Sequence, residues 1–170
     1  ELLNRSTATT DNEATAVQPL LFKTSAANYL ANEDLASEVF GPCTFAVNCA
    51  DKGELYELAN GLEGHLTASI FGDDEDFAEF ADLITILEKK VGRLIINQYP
   101  TGVEVCPSMQ HGGPYPASTD SRTTSVGTAA IDRFVRPVAF QNFPQALLPV
   151  ELQDENILGL WRTVDGQLTK

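Results

Sequence analysis

Glu38-Val39-Phe40-Gly41-Pro42-Cys43-Thr44-Phe45-Ala46-Val47-Asn48 is the stretch from which the fold can be read. The first five residues form a loop and the next six an apolar, β-capable run. Gly41 permits an unusual φ and Pro42 fixes the one after it, so Glu38 and Phe40 are expected to be held rigidly just ahead of a strand. Two readings compete for this loop. A fixed carboxylate can accept hydrogen bonds from both hydroxyls of a sugar diol while a neighbouring ring covers the flat part of the same ligand. Alternatively, Glu38 decorates a turn and Phe40 is core.

After Asn48 the pattern changes from strand to helix. Asp51 begins a helix with Glu54 three residues on, close to a capping box. Leu55, Leu58, Ala59 and Leu62 share one apolar face, and Gly61 and Gly64 mark its end. Leu66–Phe71 reads as a second buried strand, turned at Gly72 into Asp73-Asp74-Glu75-Asp76. Clustered carboxylates invite a hard-cation reading. Negative charge at a helix N-terminus explains them better, because it complements the macrodipole and caps free N–H groups, so no metal site is assigned. Phe77, Phe80, Ala81, Ile84, Leu87 and Val91 make one apolar stripe, Gly92 stops it, and Leu94–Ile96 is a third strand. Strand, helix, strand, helix, strand with short connections predicts an α/β fold with a parallel sheet.

Upstream of the central stretch, Glu1–Gln18 shows no period and is expected as a loop or frayed end. Pro19–Lys23 reads as a short strand, and Ser25 caps a short helix through Leu30. Downstream, Gln98–Arg122 is broken by Pro100, Gly102, Pro107, Gly112, Gly113, Pro114 and Pro116. A loop of that length inside a compact domain is usually functional. Ser121–Phe134 is expected to return to helix and Arg136–Phe143 to strand. No pattern assigns the remainder to Lys170.

The size suits one globular domain, with 43% hydrophobic residues available for a core. A net charge of −13 and a pI near 4.4 argue against nucleic acid and anionic membrane surfaces as partners. No apolar run approaches the roughly 18 residues of a membrane span. Three cysteines without metal-ligand spacing suggest reduced thiols and a cytoplasmic location. The chain opens on Glu1 and its only methionine is Met109, so it is expected to be part of a longer protein.

Few residues carry chemistry of their own. Cys43 and Cys49 lie in or at the end of an apolar strand and read as packing. Cys106, in Glu104-Val105-Cys106-Pro107, either packs or lines a pocket in the Pro/Gly-rich loop. His65 and His111 belong to no spaced metal set, and only His111, before Gly112-Gly113, has a loop context that favours function.

The order Glu38-Val39-Phe40-Gly41-Pro42, Leu66-Thr67-Ala68-Ser69-Ile70-Phe71, Arg93-Leu94-Ile95-Ile96-Asn97, Gly112-Gly113 and Arg122 resembles the C-terminal part of the NAD(P)-dependent aldehyde dehydrogenases. That resemblance covers nearly the whole chain. It implies a three-layer βαβαβ parallel-sheet unit of the catalytic domain over residues 1–134, with an oligomerisation strand and tail over 135–170. Glu38 would then bind the nicotinamide ribose hydroxyls and Phe40 lie against the same end of the cofactor, NAD or NADP. Cys106 and His111 would face a small aldehyde. The strand at Arg136–Phe143 would join a neighbouring subunit's sheet in a homodimer or homotetramer.

The segment Gly112–Arg122 departs from the usual family pattern, which has glycines where Thr119 and Ser121 stand and a Glu after the Arg, where Thr123 stands here. Its start, His111-Gly112-Gly113-Pro114-Tyr115-Pro116-Ala117, is similar to the branch holding α-ketoglutaric semialdehyde dehydrogenases and bacterial NADP-dependent fatty aldehyde enzymes, the former preferred. In the family a cysteine thiolate attacks the aldehyde, hydride passes to the cofactor, and the thioester is hydrolysed. None of the three cysteines here stands in the expected Gly-Gln-x-Cys setting, since the only Gly-Gln is Gly166-Gln167. The chain alone is therefore expected to be inactive, with the reacting groups upstream. The alternative is a non-catalytic acidic α/β binding or assembly module on the same scaffold.

Overall fold

A computed structural model describes residues 1–11 and 15–170. The backbone divides into two units, Glu1–Phe134 and Val135–Lys170. In the first, the central stretch forms strand β3 (Cys43–Asn48), which pairs in parallel with β2 (Leu20–Ser25) from Leu20 opposite Cys43 to Ser25 opposite Asn48. The connection holds helix α1 (Ala26–Leu30) and a 3-10 turn over Glu33–Ala36. As expected, Ser25 caps α1, its hydroxyl accepting from the Asn28 N–H at 3.2 Å. β1 (Leu2–Arg5) lies antiparallel on β2, with an irregularity between Leu2 and Asn4. The sequence reading placed a loop over Glu1–Gln18. Leu2–Arg5 has no period of its own and becomes a strand because the edge of β2 supplies its ladder. Residues 12–14 of that expected loop lie outside the described residues.

Helix α2 (Lys52–Gly61) follows, with the Asp51 carboxylate accepting from the Glu54 N–H at 2.9 Å and Glu54 accepting from the Ala50 N–H at 2.7 Å. It leads to β4 (His65–Ile70), which pairs in parallel with β5 (Val91–Ile96). Between them the acidic run behaves as a cap. Asp73 accepts from the Glu75 and Asp76 N–H groups and Asp76 reaches back to the Asp73 N–H, a complete capping box. The single expected stripe is divided at Phe80 into α3 (Asp74–Glu79) and α4 (Ala81–Leu87). Val91 opens β5 instead of closing a helix.

The α/β class and the parallel helix-linked strands are as expected. The parallel strands are divided between two sheets, because β3 pairs with β2 and carries no ladder to β4. The core is also smaller than the composition suggested. Ala59, Leu83 and Leu87 form its buried centre, packed on by Leu55, Ala68, Ile70 and Leu94, and Ala26 is buried separately. Phe45, Leu66, Phe71 and Tyr99 are among many large apolar side chains left exposed. Sheet faces without a second layer cannot bury the residues they carry.

Ser121–Phe134 does not form the expected helix, only a 3-10 stretch over Thr128–Phe134. Gly127, with φ +98°, precedes it, and an added Cβ there would meet the Cys106 carbonyl at 2.8 Å. In the second unit the expected strand over Arg136–Phe143 does not form. Among the described residues it makes no ladder, and Phe140 and Phe143 pack edge to face at 5.2 Å. A strand needs a partner backbone, and among the described residues this run has none. The hairpin of this unit is instead β6 (Arg162–Val164) with β7 (Gln167–Thr169), turned by Asp165 and Gly166 at φ 50° and 78°. Asp-Gly at positive φ is a favoured two-residue turn, so Gly166-Gln167 serves a hairpin.

Candidate functional site: a cleft between two sheets

The separation of β3 from β4 leaves a cleft of about 950 Å³. One wall is Leu35–Gly41 with β3; the other is the end of α2 and Gly64–Thr67 at the start of β4. Glu38 and Phe40 stand on this cleft. Phe40 is 98% exposed, and no described hydrogen bond or ion pair occupies the Glu38 carboxylate. Phe40 is therefore not part of this chain's own core. A free carboxylate acceptor and a bare ring within two residues suit one end of a ligand that has hydroxyls and a flat apolar part.

Pro116 and Ala117, from the segment singled out in sequence, line the same cleft. Glycine places them there. The backbone of residues 112–115 lies so close on the starts of β4 and β5 that a Cβ on Gly64 would strike the Pro114 and Tyr115 carbonyls. One on Gly92 would strike the Gly112 carbonyl, and one on Gly113 the His65 carbonyl. Ser118 fastens the turn, donating to the Gly113 carbonyl at 2.6 Å. The Tyr115-Pro116 bond is cis.

His111 and Cys106 are elsewhere. The loop leaves β5 at Asn97, whose side chain clamps Gly72 through its N–H at 3.0 Å and its carbonyl at 2.9 Å. It then returns across the sheet face opposite the helices. There a smaller cavity, about 270 Å³, is lined by Leu66, Thr67, Arg93, residues 100–103, Gln110 and His111. His111 is oriented by Ser125, whose Oγ lies 2.9 Å from both Nδ1 and the His111 carbonyl. With the one hydroxyl proton on the carbonyl, Nδ1 is the donor. Thr124, only 3% exposed, accepts from the His111 N–H at 2.7 Å. Cys106 does not line this cavity; its Sγ lies 3.5 Å from Ser108 Oγ.

Burial, and after it Glu54 and Asp51, pushes the Cys49 thiol up, which keeps it protonated and agrees with its reading as packing. Near the loop's end, Arg122 forms an exposed ion pair with Asp120 at 2.9 Å. Its side chain and backbone N–H together hold the Asp120 carboxyl down to about 2. Sequence reasoning gave no role to Arg93, Asn97, Thr124 or Ser125. Arg93 alone carried a signal, since a guanidinium inside Val91–Ile96 interrupts an otherwise apolar strand.

This α/β architecture and order of motifs define a family. Residues 3–137 match the model of the Aldehyde dehydrogenase family, and the chain belongs to it. Within it, the chain is 46% identical over 147 residues to alpha-ketoglutaric semialdehyde dehydrogenase 2 of Azospirillum brasilense, covering 86% of this chain and 28% of that protein. It is also 46% identical over 154 residues to alpha-ketoglutaric semialdehyde dehydrogenase of Acinetobacter baylyi, covering 90% and 29%. The chain thus spans less than a third of the length of these relatives. No helix among the described residues is long and apolar enough to cross a membrane.

Proposed function

We propose that this chain is the C-terminal part of the catalytic domain of an aldehyde dehydrogenase that oxidises α-ketoglutaric semialdehyde to the carboxylate with NAD or NADP. The carrying observation is the pairing of an unoccupied Glu38 carboxylate with the bare Phe40 ring on a cleft of small-molecule size. The names of the two relatives support the choice of substrate.

These residues fit a nicotinamide ribose. Glu38 accepts hydrogen bonds from its hydroxyls, and Phe40 covers the same end of the cofactor. The cofactor, when bound, supplies the hydride acceptor. This chain's contribution is positional, because holding the ribose fixes the ring against the hydride donor. The loop over residues 99–111 borders the aldehyde entrance, His111 facing it from the smaller cavity. Cys106 is assigned to the same entrance through its loop, at a distance from the cavity lining. The nucleophilic cysteine lies upstream of this chain. A cytoplasmic location suits the three free thiols.

In the complete enzyme Glu38→Gln preserves folding and slows hydride transfer roughly tenfold, since an amide replaces one acceptor oxygen with a donor. Stopped-flow reduction of the cofactor measures this. An unchanged rate and cofactor affinity overturns the assignment.

The second reading, an acidic assembly module, draws on the net charge of −13 and the absence of Gly-Gln-x-Cys. Sequencing upstream in the reading frame separates the two. A frame without that segment and without a nucleotide-binding domain removes the enzyme.

Assembly as a homodimer or homotetramer is assigned to Arg136–Phe143, a β-capable run without a ladder of its own. Light scattering with and without residues 136–170 reads it. Loss of the oligomer on truncation is expected, and an unchanged mass excludes the run.

A further inference from the structure

We propose that Arg93 recognises the carboxylate of an acidic aldehyde, receiving the end of the substrate remote from the reacting carbonyl. This rests on the reading of residues 99–111 as the aldehyde entrance. Arg93 sits within β5, opposite Thr67 of β4, and lines the 270 Å³ cavity under that loop. A half-buried guanidinium is costly unless its charge is answered. The chain holds 24 acidic residues, yet among the described residues none forms an ion pair with Arg93. Its partners are neutral. Nη1 donates to the Gly102 carbonyl at 2.7 Å and lies 3.9 Å from the Met109 sulfur, and Nη2 reaches the Pro100 carbonyl only at 3.4 Å.

Nε is buried and has no partner. Nε–H and one Nη2–H point along the same edge of the guanidinium plane. That edge is the fork a carboxylate bridges with two parallel hydrogen bonds, and it carries only the long Pro100 contact. The rest of the cavity lining adds no acid to repel an anion. Its volume suits a short aldehyde acid better than a long acyl chain.

The test uses the full-length enzyme with two substrates of one length, 5-oxopentanoate and pentanal. Arg93→Gln raises KM for 5-oxopentanoate roughly thirtyfold, the size of a lost charge-assisted pair, and leaves pentanal within about twofold. Arg93→Lys keeps the charge without the fork and falls between. Competitive inhibition by glutarate weakens in parallel. Equal losses on both aldehydes would make Arg93 a fastening for the loop carbonyls and overturn the proposal, as would no loss on either. Val103→Trp, which fills the same cavity, tests the underlying reading. If it raises KM for both aldehydes while Arg93→Gln fails to discriminate, the entrance stands and the role of Arg93 falls. If Val103→Trp changes neither KM, the entrance reading itself falls.

Discussion

The sheet of β4 and β5 and the sheet of β1, β2 and β3 are built from runs of similar apolar character, yet they end in different environments. On the first, Ala68, Ile70 and Leu94 pack against Ala59, Leu83 and Leu87 on one face. The loop from Tyr99 to Gly113 lies on the other, fastened by Arg93 to the carbonyls of Gly102 and Pro100. Against the second sheet packs the five-residue α1, which touches β2 and β3. Phe45 of β3 stays 37% exposed, although it stacks on Phe22 at 5.5 Å. Apolar β-capable sequence therefore secures a strand but not its cover. Cover comes from elements that return to the strand. Those for β4 and β5 lie within this chain, whereas β3 keeps an open cleft on which Glu38 and Phe40 stand.

The contrast breaks most readily at Gly92. A Cβ there meets backbone at Gly112 with no flexible side chain to yield. Gly92→Ala should therefore cost about 3 kcal/mol, the upper part of the overpacking range, read by urea denaturation of the chain. An unchanged midpoint would mean that residues 112–115 do not hold the β4–β5 unit.

The contrast is sharpened by pairing Leu83→Ala with Phe45→Ala. Leu83 lies in the buried cluster and its truncation should cost about 2 kcal/mol. Phe45→Ala should cost about 1 kcal/mol in this chain, because much of the ring is already in water. In the complete enzyme the cost at Phe45 should rise to about 3 kcal/mol if upstream chain covers β3. Equal costs for Phe45 in the two settings would show that β3 remains uncovered.

The smallest effect belongs to the exposed pair at the end of the loop. A carboxyl lowered from 3.8 to about 2 contributes stability that is full above the unfolded value and lost as pH falls through the folded one, so the window runs from about pH 4 down to about pH 2. Solvent screens an exposed pair, and Arg122→Ala should leave the urea midpoint nearly unchanged while the Asp120 carboxyl returns to the ordinary carboxylate range by NMR titration. A carboxyl that stays low in that variant assigns the shift to another group.

Much of this molecule was legible because its signals are local. Asp51 with Glu54 and Asp73 with Asp76 cap helices through bonds that span three or four residues, and the period of α2 is written in Leu55, Leu58, Ala59 and Leu62. Glu38 and Phe40 were legible as loop residues because Gly41-Pro42 interrupts regular structure just ahead of β3. Leu2–Arg5, Ser121–Phe134 and the stripe from Phe77 to Val91 were misread in sequence. Leu2–Arg5 became a strand on the edge of β2, a partner distant in the chain, the expected helix formed only a 3-10 stretch over Thr128–Phe134, and the stripe gave way at Phe80.

What sequence alone determined was therefore the α/β class, the alternation of strand and helix from β2 to β5, the caps, and the loop that presents Glu38 and Phe40. Tertiary structure alone decided that β3 and β4 stand apart, that Pro116 and Ala117 reach the cleft between them, and that Arg93 lies under the returning loop with no ion pair among the described residues. The reason is range. Caps and periods are fixed by hydrogen bonds and side-chain spacing within one or two turns. Which strands pair, and which glycines let two backbones touch, depend on contacts between residues tens of positions apart.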